Sequence, residues 1–135
     1  MIEFFAKNVE SLKTEYTDDF VVYGIFFEES DPEKGGQSWN FQRALGADGT
    51  LSTLGEDDEG VNIVKEIQQA VFYEEIDSFS LSRDKAICKF SNNILKQAGT
   101  NKLVINFDIT DNKWSELSIM SSFVFLNCSY YQLVK

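Results

Sequence analysis

Alternation of apolar and polar positions is clearest between residues 73 and 109. Phe79 and Leu81 alternate with Ser78, Ser80 and Ser82, and beyond Arg83-Asp84 the residues Ala86, Cys88 and Phe90 alternate with Lys85, Ile87 and Lys89. Successive side chains on a strand point to opposite faces, so two period-2 segments around a short polar turn predict a β-hairpin. Ser91-Asn92-Asn93 can cap a short helix, Ile94 to Ala98, which Gly99 stops. Leu103, Ile105, Phe107 and Ile109 then alternate with Lys102, Val104, Asn106 and Asp108. The unit reads strand, turn, strand, short helix, strand, and its apolar sides require one common sheet face.

Upstream, Met1 to Asn8 predicts a first strand with Ile2, Phe4 and Ala6 on one side; Phe5 on the other suggests some cover there too. Residues 10 to 19 are polar, carry Glu10, Glu15, Asp18 and Asp19, and read as a connection with room for a helical turn. Phe20 to Phe27, FVVYGIFF, is apolar at nearly every position and predicts a central strand buried on both faces. Gly24 within it points to a bulge or a close backbone approach. Asp31-Pro32 and Gly35-Gly36 make EESDPEKGG, residues 28 to 36, an exposed acidic hairpin loop. Gln37 to Leu45 returns as a strand with Trp39, Phe41, Arg43 and Leu45 on one parity. An arginine on an apolar parity pairs with a carboxylate, lies flat on an aromatic ring or reaches a partner.

Residues 46 to 60, GADGTLSTLGEDDEG, form a long linker-like loop. Val61, Ile63, Lys65 and Ile67 fit alternation better than residues 61 to 68 fit a helix face, predicting a strand that pairs through Gln68-Gln69 with Ala70 to Glu75. Downstream, Thr110 or Asp111 can cap a helix from Asn112 towards Asn127, with Asp111 and Glu116 suited to its N-terminal dipole. Leu117, Met120 and Val124 form its stripe, Trp114 stands at its N-terminal end, and Ile119, Phe123 and Leu126 flank it. Tyr130 to Val134 reads as a final strand or an extended tail. The fold class is therefore α+β: one domain over residues 1–135, a mostly antiparallel sheet of about seven or eight strands, the C-terminal helix on one face and one short helix.

Size and composition agree with this. A chain of 135 residues with 12 Phe, 5 Tyr and 2 Trp has ample material for a core and needs no disulfide or metal to hold it. Cys88 and Cys128 lie in apolar segments and read as buried free thiols. The start, MIEFFAKNVES, lacks a basic region followed by a long apolar run, and the longest apolar runs span only a few residues. No signal peptide or membrane helix is predicted, and the cytosol is the expected location.

Charge changes the picture more. The net charge is −10, and residues 1 to 60 hold 14 acids against 4 bases while residues 61 to 135 hold 8 against 8. A field of that sign repels nucleic acid and anionic membrane and favours a basic partner, chiefly through the association rate; it also aids solubility.

The chemistry is sparse. There is no histidine, which removes the commonest general acid/base, the commonest metal ligand and every Ser-His or Cys-His pair. The two cysteines lack zinc spacing, and no phosphate-binding glycine motif occurs. GEDDEG lacks EF-hand spacing, although a weak surface Ca²⁺ site there stays open. Basic residues are scattered and form no patch interleaved with aromatics. Glu74, Glu75 and Asp77 stand before a strand, where half-buried acids could acquire raised pKa values. By elimination a protein-binding module is favoured over an enzyme, with no cofactor and no metal.

Taken together, VYGIFFEE, WNFQRAL, YEEIDSFSLSRDKAICKFS, the short helix and LVINFDI with its closing helix resemble the immunity protein 10 family, over roughly residues 20 to 126. The strongest pieces are Phe41-Gln42-Arg43 and the run Glu75-Ile76-x-x-Phe79-x-Leu81-x-Arg83. The loop 28–36 is longer and more acidic than that pattern, and 61–72 lacks its glycine-rich turn. The resemblance implies a bacterial antidote that binds a cognate toxin domain and blocks its active site or substrate access. Toxins of such systems often have basic substrate surfaces, in agreement with the charge argument. The candidate contact residues are then Glu28, Glu29, Asp31 and Glu33 in one loop and Glu56, Asp57, Asp58 and Glu59 in the other. Two other readings stand beside it. One is a small-ligand-binding or carboxylate-based enzymatic α+β domain with a concave acidic pocket holding Glu74 or Glu75. The other is a subunit that dimerises through an exposed apolar patch around Tyr23 and Ile25.

Overall fold

The computed structural model describes residues 1–15, 20–29, 36–48, 60–65 and 70–134. It is α+β, with two five-stranded sheets rather than one larger sheet. In chain order the elements are β1 (Ile2–Ala6), β2 (Asn8–Glu15), β3 (Phe20–Glu28), β4 (Ser38–Gly46), β5 (Asn62–Lys65), β6 (Ala70–Tyr73), β7 (Ile76–Ser82), β8 (Lys85–Phe90), a 3-10 turn (Asn92–Ile94), α1 (Leu95–Ala98), β9 (Lys102–Phe107), α2 (Asp111–Val124) and β10 (Tyr131–Leu133). The first sheet has the order β1-β9-β8-β7-β10 and the second β2-β3-β4-β5-β6. β1 pairs parallel with β9 and β10 parallel with β7; all other pairs are antiparallel.

The expected central unit is present. Phe79 faces Cys88, Cys88 faces Leu103, and Ile105 faces Phe4, so the apolar parity of each strand meets that of its neighbour on one face. Ser91 caps the 3-10 turn by accepting from the Asn93 N–H, and Gly99, at φ 79°, ends α1 in the left-handed region that glycine enters without a Cβ clash.

The two sheets close over one core. Phe27 of β3 lies 6.0 Å from Phe107 of β9, Trp39 of β4 lies 5.5 Å from Phe90 of β8, and Phe41 of β4 lies 5.1 Å from Phe79 of β7, centroid to centroid. Towards the start of β3 that face is covered by α2 instead, with Tyr23 stacked on Phe123 at 4.5 Å. Thr110 caps α2 by accepting from the Lys113 N–H. The helix ends at Val124, before the expected Asn127, and Ile119 on its flank is 60 % exposed.

Other expectations are corrected. Residues 8–15 form a strand, not a connection; β2 is a sheet edge that among the described residues pairs as a strand only with β3, and a charged edge resists further pairing. Phe5 is 51 % exposed, so the outer face of β1 is uncovered there. β3 buries Val21, Tyr23, Ile25 and Phe27 fully, whereas Val22 and Phe26 on its other face are half-buried. Gly24 makes no bulge: pairing is continuous through it, and a Cβ there would stand 3.3 Å from Asn40 Oδ1. Among the described residues no helix is long and apolar enough to cross a membrane.

Candidate protein-binding surface

Of the eight acids singled out by sequence, the structure describes Glu28 and Glu29; Asp31, Glu33, Glu56, Asp57, Asp58 and Glu59, with the GEDDEG segment as a Ca²⁺ candidate, lie outside the described residues. Glu28 ends β3 and accepts from Asn8 Nδ2 at 3.0 Å; Glu29 accepts from the Gln37 N–H at 3.1 Å. Both are half-buried and stand where the β3–β4 hairpin enters its loop.

The second acidic stretch rejoins the described chain at Gly60. Gly60 is buried at φ 75°, and a Cβ there would overlap the Glu74 carboxylate, so a side chain here would be strained and would have to displace Glu74. Glu74 itself is held at φ 54°, and its N–H donates to the Val61 carbonyl at 3.1 Å. Glu74 is exposed and Glu75 half-buried. Glu28 faces Ser38 and Asn62 faces Gln42, which puts Glu28 and Asn62 roughly 13 Å apart along the strands and roughly 10 Å across them.

The parts of the sequence that supply the two sheets differ in charge. Residues 8–75, which build the whole β2–β6 sheet and its connections, hold 16 acids against 4 bases, or −12; residues 76–135 hold 5 against 7, or +2.

The residues that carried the resemblance have structural work. Phe41 and Phe79 meet across the core, and the two arginines grip opposite ends of α2. Arg43 is 4 % exposed, and its Nη1 donates to Leu126 O at 2.7 Å, to Val124 O at 3.5 Å and to Cys128 Sγ at 3.2 Å. These carbonyls carry the negative end of the helix dipole, where a cation is favoured. Arg83 Nη2 donates to Ile109 O at 2.8 Å and Asp111 Oδ1 at 2.9 Å, and its guanidinium lies 5.7 Å from the Trp114 ring. Sequence reasoning sought a carboxylate or a ring for Arg43; a helix end was missed, because only topology brings residue 43 to residue 126. The dimer patch proposed around Tyr23 and Ile25 is not exposed: they are 5 % and 0 % accessible, on the inward face. The exposed apolar residues of that sheet have the opposite parity: Leu12, Val71 and Tyr73.

Both cysteines are free, Cys88 buried and Cys128 half-buried. Burial pushes the Cys88 thiol well above its ordinary 9.0, with Asp77 adding to the effect. Burial also raises Tyr130, with Cys128 and Glu74 adding and Arg43 opposing, and it raises Tyr131 against a hydrogen bond from Ser121. In all three the fold favours the protonated form. Their contribution to stability is complete below their ordinary values and is lost as pH rises through the raised ones. Thermal melts should show a level Tm below about pH 8.5 and a progressive fall above about pH 9; a level profile to about pH 11 would contradict these burials.

Among the described residues no group of three or more Cys, Asp or Glu side chains is placed to hold a metal ion. Compared with family models, with curated proteins and with solved structures, the chain has no significant match.

Proposed function

We propose that the protein is an antidote that neutralises a cognate bacterial toxin domain by protein–protein contact, setting its acidic loops against a basic toxin cleft. The observation that carries this reading is the uneven charge along the sequence, −12 over residues 8–75 against +2 over the last 60 residues. A field concentrated on one side steers a basic partner into one orientation, which a uniform charge cannot do. The ligand-pocket reading called for Glu74 or Glu75 enclosed; Glu74 is exposed, which weakens that reading, and Glu75 is half-buried.

The test is co-expression with the C-terminal domain of the large neighbouring open reading frame. The domain alone should kill its host, and the pair should copurify from a viable culture. A harmless neighbour, or toxicity that persists with no complex, overturns the reading. If the acidic loops make the contact, association at low salt approaches roughly 10⁸ M⁻¹s⁻¹ and falls steeply as salt rises. Reversing Glu56, Asp57, Asp58 and Glu59 to lysine should then slow association by about tenfold or more and flatten its salt dependence. An unchanged rate and slope would place the contact elsewhere.

A further inference from the structure

The β2–β6 sheet has two edges of opposite character. β2 is protected by Glu10, Lys13 and Glu15, the kind of charged edge that discourages strand addition. β6, Ala70-Val71-Phe72-Tyr73, carries no charge and no proline. It pairs with β5 on one side, and among the described residues no strand lies on the other.

The register shows what this edge offers. Glu74 N–H donates to Val61 O, and the pairing continues through Asn62–Tyr73, Ile63–Phe72 and Val64–Val71. Hydrogen-bonded pairs alternate along an antiparallel ladder. Phe72 therefore turns its backbone N–H and C=O towards β5, while Val71 and Tyr73 turn theirs outwards. The same two residues carry exposed side chains, 47 % and 49 % accessible. Backbone donors, backbone acceptors and an apolar surface thus coincide at one edge, and the strand runs into Glu74.

We infer that β6 accepts an extended strand of a basic partner protein, which adds to the sheet as a sixth strand. Hydrogen bonds to Val71 and Tyr73 supply the pairing, and alternate apolar side chains rest on the same two residues. Charge selects the occupant: the segment that builds this sheet bears −12, so an incoming strand rich in lysine or arginine is attracted and an acidic one is repelled. The identity of the basic protein rests on the antidote reading; the receptivity of the edge does not.

A blocked synthetic peptide of alternating valine and lysine is the probe, with alternating valine and glutamate as its counterpart. In the free protein the Val71 and Tyr73 amides should exchange rapidly with deuterium. The lysine peptide should slow both by about tenfold or more, and the glutamate peptide should not. Val71→Pro removes an N–H that β5 does not use, so the fold should be kept, with Tm within about 2 °C, while peptide affinity falls by about tenfold or more. Val71→Lys provides a second variant that keeps the N–H and adds like charge, and it should also weaken the peptide. Failure of the lysine peptide to protect these amides, or equal binding by both variants, overturns the proposal. So does protection in the protein alone that grows with its concentration, which would assign the edge to a second copy. Failure of the co-expression test with a positive peptide result would remove the antidote reading and leave the edge standing.

Discussion

Arg43→Met is expected to remove about 3 kcal/mol of stability, the loss of charged hydrogen bonds from carbonyls that stay buried. Exchanging a complete buried ion pair for apolar residues is often harmless, since both charges leave together. Here the acceptors at Val124 and Leu126 are backbone oxygens that no substitution removes. Arg43→Lys should recover only part of the loss, because one ammonium cannot reproduce the planar fork. Arg83 offers the control at the other end of α2. Its side chain is 44 % exposed and that of Asp111 99 %, so solvent screens the pair and Arg83→Ala should cost about 1 kcal/mol or less. Urea midpoints at constant slope report the difference. Equal losses for the two arginines would mean that burial does not set the strength of the helix clamps.

The central unit was legible because its information is local. Alternation fixed the faces of β7, β8 and β9, and Ser91 and Gly99 mark the short helical stretch with side-chain chemistry that acts over a few residues. The division into two sheets was not legible. The chain passes from β1 to β2 through Lys7 alone and from β6 to β7 through Glu74-Glu75, and nothing in an alternating pattern records that consecutive strands join different sheets. The parallel pairs β1–β9 and β10–β7 are non-local and were hidden for the same reason. β2 was missed because an edge strand faces water on several sides and keeps few apolar residues. For the candidate surface, sequence identified the acids but not their anchor. Gly60 looked like the end of a loop, and its fit against Glu74 depends on a hairpin that pairs residue 62 with residue 73. The open edge at Val71 and Tyr73 was visible as apolar residues, but its outward backbone needed the register.

Phe79→Ala is expected to cost about 4 kcal/mol. The ring is fully buried where the two sheets meet the turn after α2, with centroids 5.1 Å from Phe41, 4.4 Å from Phe125 and 6.2 Å from Tyr131. Its neighbours come from three different elements, so they cannot collapse together into the space it leaves, and the cavity adds to the lost transfer energy. Tm should fall by roughly 15 °C for a domain of this size, whereas Phe5→Ala on the exposed face should stay within about 0.5 kcal/mol. The double variant with Arg43→Met makes the sharper test. Both residues brace the same short segment, Phe79 through Phe125 and Arg43 through Leu126, and side chains that share a support do not contribute additively. If the segment after α2 loosens once either brace is gone, the second substitution costs less than it does alone, and the double variant falls short of the sum by about 0.5 kcal/mol or more. Strict additivity would mean that the helix end and the sheet core hold independently, and α2 would then be an attachment to the two-sheet core rather than part of what closes it.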